Sequence, residues 1–293
     1  SYILTAQKAQ PYSNQRLLSA KRKAYKNYRI LLSGLNRHLD TTQIKQCGKQ
    51  YADLNWDSVT SVTLTRQRKA FQNINKAGKQ RSDEPDRVLG AEGFDQWVQE
   101  KLANGKTIKG KRVGLNDLVK AALTASTSTE IALLNSQWLD GNGLIGDLGN
   151  MIAMCDTSGS MQADEAYNAA IGLSLRVANK SCIKNRILTF AEKPQWIRVE
   201  KDEQFVSNVR KITTSQWGFS TNFTGALTLI LQACIDANLQ ASQVSNLVLA
   251  VFSDMQINSN GNEALNETMW DKIERMYKEA GLKHSGEAWK PPH

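Results

Sequence analysis

Asp156-Thr157-Ser158-Gly159-Ser160 follows directly on the apolar run Met151-Ile152-Ala153-Met154-Cys155. A short, wholly apolar run reads as a strand buried on both faces, the kind found in parallel sheets covered by helices. In such sheets ligands bind beyond the carboxyl ends of the strands. One carboxylate and two hydroxyls at alternate positions there crowd hard oxygen donors into a small space. That donor set suits Mg2+, which takes octahedral oxygen geometry and keeps several waters or accepts an oxygen from a partner. Taken alone, Asp and Ser behind a strand are more often plain helix caps. Two later segments shift the balance toward the metal reading.

The first, Gly218-Phe219-Ser220-Thr221-Asn222-Phe223-Thr224-Gly225, is a Ser/Thr-rich loop running into an apolar helix. The second, Asn246-Leu247-Val248-Leu249-Ala250-Val251-Phe252-Ser253-Asp254, is another apolar strand, and it ends in Ser-Asp. Around them the pattern alternates, as parallel sheets with crossover helices require. Strands are predicted at 150–155, 186–190, 194–199 (a half-exposed edge) and 246–252, the last a central strand. Helices are predicted at 164–180, 203–212, 224–238 and 267–280, the final one closed by Gly281.

Asp-x-Ser-x-Ser, a loop Thr and a strand-terminal Asp, in this order, resemble the metal-ion-dependent adhesion site of von Willebrand factor A (vWA) domains. The resemblance implies a doubly wound, mostly parallel α/β sheet over residues 148–293. It also implies that Asp156, Ser158 and Ser160 hold the ion, and that Thr221 and Asp254 bind it directly or through water. Thr224 is the fallback for Thr221, which stands before Asn as in the family pattern. Mg2+ is the expected cofactor, with Mn2+ or Ca2+ as substitutes, and a protein partner is expected to complete the coordination with an Asp or Glu. A vWA sheet continues beyond the helix at 267–280, so its last strand is expected to be absent from this chain.

Upstream, residues 1–147 read as a helical region. Leu17, Leu18, Tyr25, Tyr28, Leu31, Leu32 and Leu35 recur at helical intervals, with further helices at 65–74, 94–102 and 115–125 and a mobile loop at 75–87. Asn55-Trp56-Asp57-Ser58-Val59, Lys69-Ala70-Phe71 and Leu102-Ala103-Asn104-Gly105-Lys106 resemble a family of uncharacterised plant, fungal and giant-virus proteins that join a helical segment to a vWA domain. More distantly, the layout is similar to the Ro autoantigen, whose helical ring binds RNA; the segment before the sheet is short for such a ring.

The formal net charge is +9, and all of the excess lies upstream: residues 1–147 carry +10 and residues 148–293 carry −1. Lys21, Arg22, Lys23, Lys26 and Arg29, interleaved with Tyr25 and Tyr28, form one basic cluster; Lys106, Lys109, Lys111 and Arg112 form a second. Such clusters neutralise phosphates or meet an acidic protein surface, although a charge run is also the ordinary dress of a solvated helix. RNA binding through these residues is the alternative function.

Catalysis finds little support. Of the three histidines, His38 is in the helical region while His284 and His293 lie near the C-terminal end, and none has nucleophile–base spacing to Ser158, Ser160 or Cys155. An aspartyl-phosphate enzyme has a second acid two residues after the nucleophile, where this chain has Ser158. A non-catalytic protein is expected, a Mg2+-dependent hydrolase being the minority reading. Gly141-Asn142-Gly143-Leu144-Ile145-Gly146 matches the dinucleotide-binding glycine pattern literally, but no strand precedes it, so a linker is expected. Cys47, Cys155, Cys182 and Cys234 lack paired spacing, which points to free thiols and a cytoplasmic protein. No stretch reaches the ~18 apolar residues of a membrane span, and no membrane partner is expected.

Overall fold

A computed structural model describes residues 14–163, 166–183, 185–200, 204–215, 221–254 and 268–293. Upstream lie α1 (Asn14–His38), α2 (Thr42–Cys47), α3 (Ser61–Phe71), α4 (Pro85–Ala103), α5 (Leu115–Thr124) and α6 (Ser128–Asn142). There follow β1 (Met151–Asp156), α7 (Ala166–Lys180), β2 (Arg186–Phe190), β3 (Gln195–Arg198), α8 (Phe205–Thr213), α9 (Phe223–Asp236), α10 (Ala241–Ser245), β4 (Val248–Phe252) and α11 (Met269–Ser285). The sheet runs β3-β2-β1-β4, with β2, β1 and β4 parallel and β3 an antiparallel edge.

Both sheet faces are covered, which explains why β1 is apolar without alternation. On one face Ala153 and Cys155 meet α5, α7 and α8 through Leu118, Val119, Ile171, Leu175, Val206 and Val209. On the other, Ile152, Met154, Leu188 and Phe190 meet α9 and α11 through Leu227, Ile230, Ile273 and Tyr277. The chain is thus a mixed α/β protein with a mostly parallel sheet.

The first of these cores draws on both sides of residue 147. Helix α5 lies close along α7 because Gly172 has no side chain; a Cβ there would stand 3.0 Å from Leu115 Cβ. Trp138 of α6 stacks on Phe205 of α8, with ring centroids 4.3 Å apart, and the Arg176 guanidinium lies 3.6 Å from the Trp138 centroid. A third, smaller core around Trp56, Leu64, Phe71, Phe94, Val98 and Leu133 holds α3, α4 and α6 together.

Several expectations are corrected. Residues 85–93 are helical, because Pro85 opens α4 rather than ending a loop, and Gly90 lies inside it to let Tyr51 approach: a Cβ would meet Tyr51 Cβ at 2.6 Å. The rest of the expected loop contains a turn in which the Asn75 side chain accepts from the backbone of Ala77 and Lys79. The last helix runs past Gly281 to Ser285, and Gly286 at φ 76° ends it. Gly281 instead provides room for Trp289, whose ring a Cβ would approach to 2.5 Å. Strand β4 lies at the sheet edge among the described residues, not at its centre. Its outer side carries one residue of pairing, His293, which donates to Leu247 O and accepts from Leu249 N–H. The glycine pattern at 141–146 begins within the last turn of α6, where Asn142 Oδ1 accepts from Arg176.

All four cysteines are free, Cys155 and Cys234 buried, Cys47 and Cys182 exposed. Burial pushes the Cys155 thiol up to about 12 and the Cys234 thiol up to about 11. Since the thiolate is the reacting form, a chromogenic disulfide reagent at pH 8 is expected to titrate two thiols quickly in native protein. The other two should react only after denaturant is added. Fast reaction of all four would contradict this packing.

Candidate functional site

Strand β1 sits between β2 and β4, and its last residue, Asp156, pairs with Phe190 at the end of β2; its neighbour Cys155 pairs with Phe252 at the end of β4. The ends of three parallel strands therefore bring Asp156 beside the segments that follow β2 and β4. Asp156 is fully buried, and Ser158 is buried beside it. Beyond Asp156 the backbone folds back so that Ser158 N–H donates to Asp156 Oδ1 at 2.8 Å. Ser253, one residue past β4, donates its hydroxyl to Asp156 Oδ2 at 2.5 Å. The carboxylate is thus held on both oxygens by neutral donors. Ser158 Oγ and Ser160 Oγ stand 3.0 Å apart. Ser160 is exposed, and so is Asp254, so the cluster opens outward on that side.

Thr221 is buried just ahead of α9. Its neighbour Asn222 donates its N–H to Ala191 O, one residue past the Asp156 partner on β2, and caps α9 by accepting from Gly225 N–H at 2.8 Å. Thr221 therefore approaches the same sheet edge from the β2 side. Thr224, the fallback, lies in the first turn of α9. The loop residues Gly218, Phe219 and Ser220 lie outside the described residues. The predicted set of Asp156, Ser158, Ser160, Thr221 and Asp254 thus shares one edge of the sheet, with direct hydrogen bonds linking Asp156 to Ser158 and Ser158 to Ser160. Sequence reasoning left out Ser253, although its place directly before Asp254 on a strand parallel to β1 marks it as a neighbour of Asp156. The Thr157 hydroxyl beside the cluster is buried and makes no hydrogen bond among the described residues.

Among the described residues no group of three His, Cys, Asp or Glu gathers in metal-binding fashion. An ion here would meet the buried Asp156 carboxylate, several hydroxyls and, on the open side, the exposed Asp254 carboxylate. The histidines lie elsewhere: His284 contacts Asn238 Oδ1 at 3.0 Å, and His293 pairs through its backbone with β4.

The two basic clusters stay apart in character. Lys21, Arg22, Lys23, Lys26 and Arg29 are all exposed on α1. Lys109 donates to the Asp57 carbonyl at 2.6 Å, and the backbone of Gly110 and Lys111 donates to Asp140 Oδ2 at 2.8 and 3.1 Å. That second segment is locked against α6, where a Cβ on Gly110 would fall 1.9 Å from Gln137 O. Lys111 and Arg112 point to solvent from a structural turn. No described helix is long and apolar enough to cross a membrane.

Residues 150–286, the span of the sheet and its site, match the model of a domain of unknown function (DUF7788). The chain is similar to an uncharacterised protein of Acanthamoeba polyphaga mimivirus, with 28% identity over 261 residues. That alignment covers 87% of this chain and 44% of the viral protein, so the chain spans less than half the length of the curated relative it matches. No solved structure matches the chain.

Proposed function

We propose that the sheet edge at Asp156 is a vWA-type metal-ion-dependent adhesion site. It binds Mg2+ and, through the ion, an acidic residue of a protein partner. The observation that carries this reading is the buried Asp156 carboxylate at the ends of three parallel strands, held by the Ser253 hydroxyl and the Ser158 N–H, with the Ser158 and Ser160 hydroxyls following it in the chain. The separation of Ser158 Oγ and Ser160 Oγ supports it further. Two oxygens at right angles about an ion, each at the 2.0–2.1 Å of Mg2+, lie about 2.9 Å apart, so the two hydroxyl oxygens, hydrogen-bonded to each other at 3.0 Å, stand at a spacing that adjacent ligand positions can accept. Asp156, Ser158 and Ser160 would hold the ion, with Thr221 and Asp254 the remaining protein donors.

The charge balance favours binding over turnover. Asp156 is the one buried carboxylate of the set; Asp254 is exposed and solvent-screened and the other donors are neutral hydroxyls, so the open side of the ion keeps coordination positions that an Asp or Glu from outside fills. The ion would supply that electrophilic anchor. Asp156 orients it, Ser253 and Ser158 N–H keep the carboxylate in one rotamer, and the sheet excludes water from behind.

Mn2+ reports on the same site. Titrating the protein into Mn2+ is expected to quench the free-ion paramagnetic signal at one equivalent, with Mg2+ competing. Asp156→Ala should leave the signal of free Mn2+ intact. Undiminished binding by that variant would refute the site.

A further inference from the structure

Among the described residues, helix α1 is the least covered element. None of its described residues is buried, and only Ala24, Ser33 and Asn36 are half-buried. Between residues 14 and 38 it carries seven Lys or Arg and no Asp or Glu. At about 100° per residue, Leu17, Leu18, Tyr25, Tyr28, Leu31, Leu32 and Leu35 fall on one face, all of them exposed. Arg16, Lys23, Lys26 and Arg37 fall on the opposite face, and Ile30 stands among them, 61% exposed.

An occupant of this helix must therefore bury leucines and neutralise cations, and must do so on more than one side. An RNA backbone answers the cations but leaves the leucines in water. A second copy of α1 buries leucines but sets seven cations against seven, with no acid between them. A flat anionic bilayer takes the leucine face and leaves Ile30 and the cations around it pointing away. The spacing decides the matter. Leu17 and Ile30 are thirteen residues apart, which puts them about 20 Å apart along the axis and about 140° apart around it. Lys21, Arg22, Lys23, Lys26 and Arg29 lie between them.

We propose that α1 is the binding segment for an acidic, two-lobed protein clamp with apolar pockets, of the calcium-sensor type. Each lobe takes one bulky anchor, from opposite sides of the helix. The acidic rims of the lobes meet the cations between the anchors. Calcium opens such lobes and exposes methionine-lined grooves, whose flexible side chains accept anchors of varied shape.

The test uses the whole chain with calcium-loaded calmodulin as the probe, followed by titration calorimetry. The expected result is one-to-one binding that disappears when calcium is chelated. Leu17→Glu with Ile30→Glu, and separately Lys21→Glu with Lys23→Glu and Lys26→Glu, should each weaken it by at least about tenfold. All five side chains are exposed, so the melting temperature should not move. Asp156→Ala should bind calmodulin as wild type does, which separates this helix from the metal site and its own need for divalent ions. Three outcomes overturn the proposal. They are no calmodulin binding at all, binding that survives both sets of substitutions, or α1-dependent binding only to phosphatidylserine vesicles or to a single-stranded RNA.

Discussion

Wild-type protein in Mg2+ at a hundredfold excess over its Kd is expected to be about 2.7 kcal/mol more stable than in chelator, from mass action on the folded state alone. Asp156→Ala should lose that whole increment, because it removes the one buried carboxylate in the cluster. The effect in chelator should be smaller. There the substitution frees Ser158 N–H and the Ser253 hydroxyl, which each lose an acceptor, but it also relieves the desolvation of a buried charge. Thermal unfolding of both proteins with and without Mg2+ isolates the ion's contribution as a difference of differences. Equal Mg2+ shifts in the two proteins would place the ion elsewhere. Ser253→Ala should keep most of the shift, since Ser253 steadies the carboxylate through one hydrogen bond and the loop oxygens remain.

Glu130→Ala is expected to cost about 3–5 kcal/mol, the range found when one member of a buried ion pair is removed. Glu130 is fully buried at the start of α6, with Oε1 2.8 Å from Arg68 Nε and Oε2 accepting from Ser126 N–H at 2.7 Å. Arg68 is buried as well and spends its other N–H groups on Thr65 O, Ala121 O and Thr124 Oγ1, so it ties α3, α5 and α6 together. Burial holds its guanidinium below the usual arginine range, opposed by the attraction of Glu130. Deleting Glu130 takes the paired carboxylate from that buried cation and also from Lys69, whose Nζ lies 3.5 Å from Glu130 Oε2. Urea unfolding should show a lower midpoint with an unchanged slope. Arg68→Met combined with Glu130→Leu should recover most of the loss, since an apolar pair of similar volume has no charge to desolvate. Failure of the double variant to recover would mean that the polar anchoring of α5, rather than charge balance, carries the stability.

The strands of the sheet could be read from the chain because apolar runs as short as 151–155 or 247–252, bounded by polar and turn residues, are too short for a typical helix and fit a strand packed on both faces. The half-exposed alternation of 194–199 likewise marked the edge strand, seen as β3. Helix ends were harder to place. Gly90, Gly93 and Gly281 look like stops, yet Gly90 and Gly281 sit inside helices because Tyr51 and Trp289 press against them. A neighbour from a distant part of the chain sets that requirement, and no local pattern announces it. The same holds for the boundary expected at residue 147. Charge changes there, but packing does not, since α5 and α6 share a core with α7 and α8.

At the site, Asp156, Ser158 and Ser160 were visible because three oxygen donors at alternate positions behind a strand are a local pattern. Ser253 was not, because its role depends on β4 lying beside β1. The amphipathic, all-cation character of α1 was equally local, whereas its exposure was not: only the structure shows that its leucines are exposed among the described residues. What the sequence by itself determined is the set of chemical groups and their local periodicity, since these follow from the order of side chains along a strand or helix. Which groups meet, which glycines must be small and which apolar face is left bare were decided only by the tertiary structure, because each depends on a residue far away in the chain.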